Sequence, residues 1–176
     1  NLLTYSEEFD NAAWTKTRSS VIADVVSNPV NGALTADKLV ENTDTNTHLF
    51  QTSNKSFTSG VNYTAYAYLK AAERGFARLS LPAASFPASP YADFNLTTGV
   101  STNGSASLSS TVTDEGDGWF LCTVTMEADA TASSSVAYYC TDALSNISYT
   151  GDGSSGIYIY GAQLTKGSQL QPYTAT

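Results

Sequence analysis

The chain reads as an all-β fold, a sandwich or a barrel, and three observations say so. Apolar and polar residues alternate in run after run, the period of a half-buried strand. Ala, Val and Tyr supply much of the 41% hydrophobic content, and Thr and Ser fill the rest, a mix that suits pleated surfaces. Clusters of Gly, Asn, Ser, Asp and Pro separate the runs, and no run carries a sustained helical stripe.

The predicted strands follow in order. Runs 19–26 (SSVIADVV), 33–41 (ALTADKLVE) and 47–53 (THLFQTS) come first. In 61–70 (VNYTAYAYLK), Tyr63, Ala65, Ala67 and Leu69 share one face, and Thr64, Tyr66, Tyr68 and Lys70 share the other. Ala71–Arg74 reads as one short turn. In 76–82 (FARLSLP), Ala77, Leu79 and Leu81 oppose Phe76, Arg78 and Ser80. In 91–96 (YADFNL), Ala92, Phe94 and Leu96 oppose Tyr91, Asp93 and Asn95, and Thr97-Thr98-Gly99 then turns the chain. Run 108–113 (LSSTVT) precedes 118–127 (GWFLCTVTME), where Phe120, Cys122, Val124 and Met126 oppose Leu121, Thr123 and Thr125. Runs 135–141 (SVAYYCT) and 156–165 (GIYIYGAQLT) close the set. The first set of each pair is the predicted core. No repeat or linker divides the chain, so 1–176 is expected to be one domain. It begins at Asn1, which suggests a piece of a longer protein with other domains.

Eight basic residues stand against sixteen acidic ones, a formal charge of −8. Nucleic-acid partners and anionic membrane surfaces are disfavoured on that balance. No apolar run is long enough for a membrane-spanning helix, so membrane insertion is not expected. The lone His48 and the absence of a Gly-x-Ser-x-Gly elbow give no support to a catalytic triad. The carboxylates cluster in turns, at Asp114-Glu115-Asp117, Glu127-Asp129 and Glu7-Glu8-Asp10, where solvent and turn roles account for them. Two cysteines and one histidine make no zinc site. The reading is therefore of a chain that binds and does not catalyse.

Three segments carry a resemblance: "NLLTYSEEFDNAAWTK", "FNLTTGVS…DEGDGWFLCTVTMEA" and "YTGDGSSGIYIYGAQLTKG". Together they resemble the carbohydrate-binding-module-like jelly-roll domains of bacteriophage tail proteins and of secreted polysaccharide-active enzymes. The resemblance implies two antiparallel sheets, a polysaccharide partner, an extracellular setting on a virion or in secretion, and no catalytic machinery. It leaves room for a structural, oligomerising domain without a ligand, or for a polysaccharide lyase on the same scaffold. It implies a strand order too: the final strand lies beside 33–41 and 61–70, with 118–127 on the far side of 61–70. The second sheet takes 47–53, 76–82, 91–96 and 135–141. Such modules often hold a structural calcium near the first strand, where "EEFDN" falls, with Asp10 the first ligand and Glu8 the second. The last strand departs from that pattern, placing Tyr160 and Gly161 where an acidic ligand would stand.

On that strand order Ile157 and Ile159 face inward, and Tyr158 and Tyr160 join Tyr66 and Tyr68 on an outer face. Gly161 marks a bulge that returns Ala162 and Leu164 to the core. The tyrosines are either a sugar platform or a seat for another segment. The N-terminal stretch holding Leu2, Leu3, Tyr5, Phe9 and Trp14 needs burial and is the expected cover. The outer face of the second sheet is the expected carbohydrate site: Arg78, Asp93 and Asn95, with Tyr138 (or Tyr139) and His48 on the same sheet. A guanidinium, a carboxylate, an amide and a ring suit vicinal hydroxyls and a stacked sugar. The alternative there is a plain Arg78–Asp93 cross-strand ion pair. Cys122 and Cys140 could pair across a simple hairpin. The jelly-roll order instead puts them on opposite sheets, about 10 Å apart, beyond the reach of a disulfide, so two buried free thiols are expected.

Overall fold

The computed structural model describes residues 1–88 and 90–176. Strands account for 53% of it and no helix occurs among the described residues. In chain order the strands are β1 (Thr15–Thr17), β2 (Ser19–Ser27), β3 (Leu34–Glu41), β4 (Thr45–Asn46), β5 (His48–Gln51), β6 (Lys55–Phe57), β7 (Asn62–Ala71) and β8 (Phe76–Ser80). They continue as β9 (Tyr91–Asn95), β10 (Val100–Asn103), β11 (Ser109–Gly116), β12 (Trp119–Glu127), β13 (Ala132–Ser134), β14 (Ala137–Thr141), β15 (Tyr149–Thr150) and β16 (Gly156–Lys166). All ten periodic runs form strands. The strands that periodicity missed, β1, β4, β6, β10, β13 and β15, are two to four residues long, too short to show a period.

Two antiparallel sheets pack face to face. The first runs β11-β12-β7-β16-β3-β2 and the second β1-β5-β14-β8-β9-β10. The last strand sits between the 33–41 and 61–70 strands, as expected, and the second sheet has the expected members. The alternation predicted from sequence decides the core. Tyr63, Ala65, Ala67 and Leu69 of β7, Phe120, Cys122 and Val124 of β12, and Ile157 and Ile159 of β16 meet Leu79, Phe94, Phe50 and Tyr138 of the second sheet.

The bulge in β16 falls where the glycine stands. Tyr160 pairs with Tyr68, but the next pairing is Gln163 with Tyr66. Gly161 has a φ of +59°, and a Cβ there would lie 3.1 Å from Tyr68 Cδ2 and 3.2 Å from Tyr173 Cζ. The extra residue returns Ala162 and Leu164 to the core.

The large apolar residues of the N-terminal segment do not cover the tyrosine face. Leu3, Phe9 and Trp14 enter the gap between the sheets, where Phe9 packs 5.3 Å from Phe50 and Trp14 lies 6.0 Å from Tyr138. The open end of the sandwich offers these large apolar rings full burial, which an outer face would not. Tyr66, Tyr68 and Tyr160 are covered all the same, by the C-terminal residues 168–176. Tyr173 packs 6.2 Å from Tyr68 and 5.9 Å from Tyr160. The strap also supplies polar partners that an apolar segment lacks. Tyr66 donates to Gln171 O (3.2 Å), Gln163 Nε2 to Pro172 O (3.1 Å), and Thr174 N to Gln163 Oε1 (2.8 Å). Glu7 accepts from both Tyr160 (2.6 Å) and Tyr173 (2.9 Å).

Candidate functional site

The expected site on the second sheet is assembled in part and closed. Register places Arg78 opposite Asp93 on one side and Tyr139 on the other. Arg78 donates through Nε to Asp93 Oδ1 (2.6 Å) and through Nη2 to Oδ2 (2.8 Å), and its guanidinium lies 3.5 Å from the centre of the Tyr91 ring. The backbone N–H of Ser145 also donates to Asp93 (3.1 Å). Arg78 is 8% exposed and Asp93 1%, so the pair is buried where a solvent-facing one was expected. Asn95 lies at the next outward position of β9, but its Oδ1 accepts from the N–H groups of Thr97 (2.9 Å) and Thr98 (3.1 Å), closing the turn.

Tyr138 and His48 leave the set. Tyr138 is 1% exposed and stacks on Phe50 at 5.3 Å inside the core. Cys140 shares its parity and is also buried, so of the adjacent pair it is Tyr139 that faces outward. His48 shares the parity of Phe50 and is wholly buried, its Nδ1 2.8 Å from Arg18 O and its Nε2 3.3 Å from Tyr149 O. Tyr91, which completes the Arg78 stack, was legible as an outward residue of 91–96.

Beside His48 a polar centre forms around the buried Glu41. Its carboxylate accepts from Arg74 Nε (2.9 Å), the Tyr149 hydroxyl (2.6 Å) and Asp152 N (2.9 Å). Arg74 also lies 5.2 Å from the centre of the Tyr149 ring. Burial raises the Glu41 pKa, but the bonds from Arg74, Tyr149 and Asp152 bring it below the usual carboxylate value. Burial and the same carboxylate push the Tyr149 phenol far up. A charge-neutralised carboxylate and a phenol held protonated lock the 149–156 loop, rather than forming an acid–base pair poised near neutrality. Gly151 permits the approach, because a Cβ there would collide with Asn42 O.

The residues around "EEFDN", where calcium was expected, lie at the surface and are held by other partners. Asp10 and Glu8 are both exposed, and no group of three Asp, Glu, His or Cys side chains suited to a metal occurs among the described residues. The ammonium of Lys16 instead donates to the carbonyls of Asp10 (2.7 Å) and Asn11 (2.6 Å). The buried carboxylate nearby is Asp37, which accepts from Phe9 N and Asp24 N, both at 3.0 Å. Burial lifts its pKa to about 6 against those two bonds. Cys122 and Cys140 are free and buried, and burial raises both thiols, Cys140 to about 12.

Two open concavities lie on the outer face of the first sheet, one towards each end of β7 and β12. At the Trp119 end, the β2–β3 loop and the β11–β12 turn enclose a cleft of about 710 Å³. Its floor holds Trp119, whose indole N–H donates to Ser27 O (3.2 Å), and Lys70, whose ammonium lies 5.9 Å from the centre of the Trp119 ring. Among the described residues Lys70, Glu115 and Asp117 form no side-chain hydrogen bond or ion pair, though all three line the cleft. The walls are held in place. Asn28 braces its loop through the N–H groups of Val30 and Asn31 (2.9 Å each), and Gly116, Asp117 and Gly118 all have positive φ in the facing turn. Sequence placed the two carboxylates in a turn and Lys70 on an outward face, but not their convergence. At the other end lies a groove of about 670 Å³ lined by hydroxyl side chains. Compared with known proteins, the chain matches no family model and no curated protein.

Proposed function

We propose that this sandwich is a non-catalytic carbohydrate-binding module that takes its ligand in the charged cleft. The observation that carries the reading is the set of unpaired charges there: two carboxylates and one ammonium, beside a buried indole. Carboxylates accept from vicinal hydroxyls and the ammonium donates to ring or hydroxyl oxygens, so the three together match a sugar's own donors and acceptors. The resemblance in the sequence supports the same class. It makes a phage tail or receptor-binding protein, or a secreted polysaccharide-degrading enzyme, the natural parent, and an extracellular setting the natural location.

The test is a glycan array run beside a reducing-sugar and unsaturated-product assay on the same sample. Binding without turnover is expected. Lys70→Met keeps the stem on Trp119 and removes the charge, and Glu115→Gln removes an acceptor. Each is expected to weaken binding by about 1.5–3 kcal/mol, the range for hydrogen bonds to charged groups. Unaltered binding in both, or product formation, would refute the proposal. A structural, oligomerising domain is the second reading, favoured by the exposed Ile22, Val25, Val30 and Leu34 along the β2 edge. Light scattering that shows a stable oligomer, together with an empty array, would replace the first reading with the second.

A further inference from the structure

We infer that the hydroxyl groove is a second binding site, for a neutral polyhydroxylated chain. The inference rests on the carbohydrate reading for its ligand class, but not on the charged cleft. The groove runs over the outer faces of β11, β12 and β7, with residues 168–170 as its wall. Register puts Ser109 opposite Thr125, Thr111 opposite Thr123, and Thr125 opposite Thr64. Alternate residues repeat about 6.6 Å apart along a strand and neighbours stand about 4.8 Å apart across strands, so these side chains form a regular grid.

Threonine suits strands without any ligand, and exposed hydroxyls are satisfied by water. Thr64 and Thr125 bond each other (2.9 Å), Thr64 also donates to Gly167 O (2.8 Å), and the exposed Ser109, Thr111 and Thr113 form no side-chain hydrogen bond among the described residues. One detail goes beyond that. Thr123, on the groove floor, is 6% exposed, and its hydroxyl is buried with no partner. Buried hydroxyls are nearly always paired, and of the four without a partner among the described residues (Ser85, Ser105, Thr123 and Thr141) Thr123 is the one that lines the groove. A ligand in the groove would supply that partner on a change of the Thr123 χ1 rotamer. Each hydroxyl donates and accepts, so the grid complements another set of hydroxyls. Among the described residues Glu127 is the one ionisable side chain lining the groove, which disfavours anions, and the half-exposed Leu170 offers an apolar wall to C–H faces.

The test is an NMR titration of the ¹⁵N-labelled chain with cello-, manno- and malto-oligosaccharides, and with oligogalacturonate as the anionic control. Saturable amide shifts are expected at Ser109–Thr113 and Thr123–Thr125 with a neutral sugar and not with the anionic one. Thr123→Val, which keeps the shape and deletes the hydroxyl, is expected to weaken that binding at least about tenfold, with an unchanged or higher melting temperature. Shifts confined to Asn28–Gly32 and Glu115–Trp119 would overturn the groove and leave the charged cleft standing. Shifts confined to the groove would do the reverse. Silence at the groove with all three neutral series, or wild-type binding by the Thr123→Val chain, would overturn the inference.

Discussion

Arg78→Ala tests whether the second sheet is closed. Removing the guanidinium takes both charge-assisted bonds from Asp93 and uncovers the Tyr91 ring, leaving the carboxylate with the Ser145 N–H. Asp93 is 1% exposed, so water does not replace what is lost. Breaking a buried pair from one side costs about 3–5 kcal/mol, because the remaining charge stays buried. For a chain of this size each kcal/mol moves the melting temperature by about 2–4 °C, so the drop should fall between about 6 and 20 °C. Urea melts should show the same loss through the midpoint, with little change in slope. Replacing both partners together, as Arg78→Met with Asp93→Leu, should recover most of it, since no unpaired charge is left. A loss under about 1 kcal/mol for Arg78→Ala is the signature of a solvated surface pair. That result would refute the closed face and return Arg78 and Asp93 to the candidate ligand set.

Asp37 should make stability pH-dependent. Its folded pKa is raised from 3.8 to about 6, so its contribution is present below the lower value and lost as pH rises through the upper one. Wild type should gain stability on Asp37→Asn as pH falls from about 7 towards 4; a difference between their melting temperatures that does not move with pH would disprove this. Gly161→Ala should destabilise by about 1–3 kcal/mol, from the left-handed φ and the crowding against Tyr68 and Tyr173. An unchanged thermal melt would show that the bulge tolerates a side chain.

The strands were legible where alternation ran for five residues or more, because a period of two needs that much chain to declare itself. Tyr138-Tyr139 shows the limit. Either ring can be the outward one, and only the phase of Cys140 against its neighbours separates them. The Arg78–Asp93 contact was legible from parity and hairpin pairing, but its burial was not. Ser145 reaches it from a loop whose position no local pattern encodes. The strap over the tyrosines was hidden for a related reason. "SQLQPYTAT" is polar and aperiodic, and it binds through backbone carbonyls, which every sequence possesses. The N-terminal rings announced a need for burial without announcing where. The charged cleft joins two turns far apart in the chain, so its residues could be named individually and not as a set.

The place of β16 between β7 and β3 governs how the chain can be made. Until that strand arrives, the first sheet exists only as two separate pieces, β3 with β2 and β7 with β12 and β11, each with an unsatisfied inner edge. A ribosome releases residues in order, so the sheet cannot zip together before residue 166 has emerged. Contacts of such long sequence separation are slow to form, and unpaired edges invite association in the interval. This segment therefore remains an incomplete sandwich until β16 is available to enter between β3 and β7.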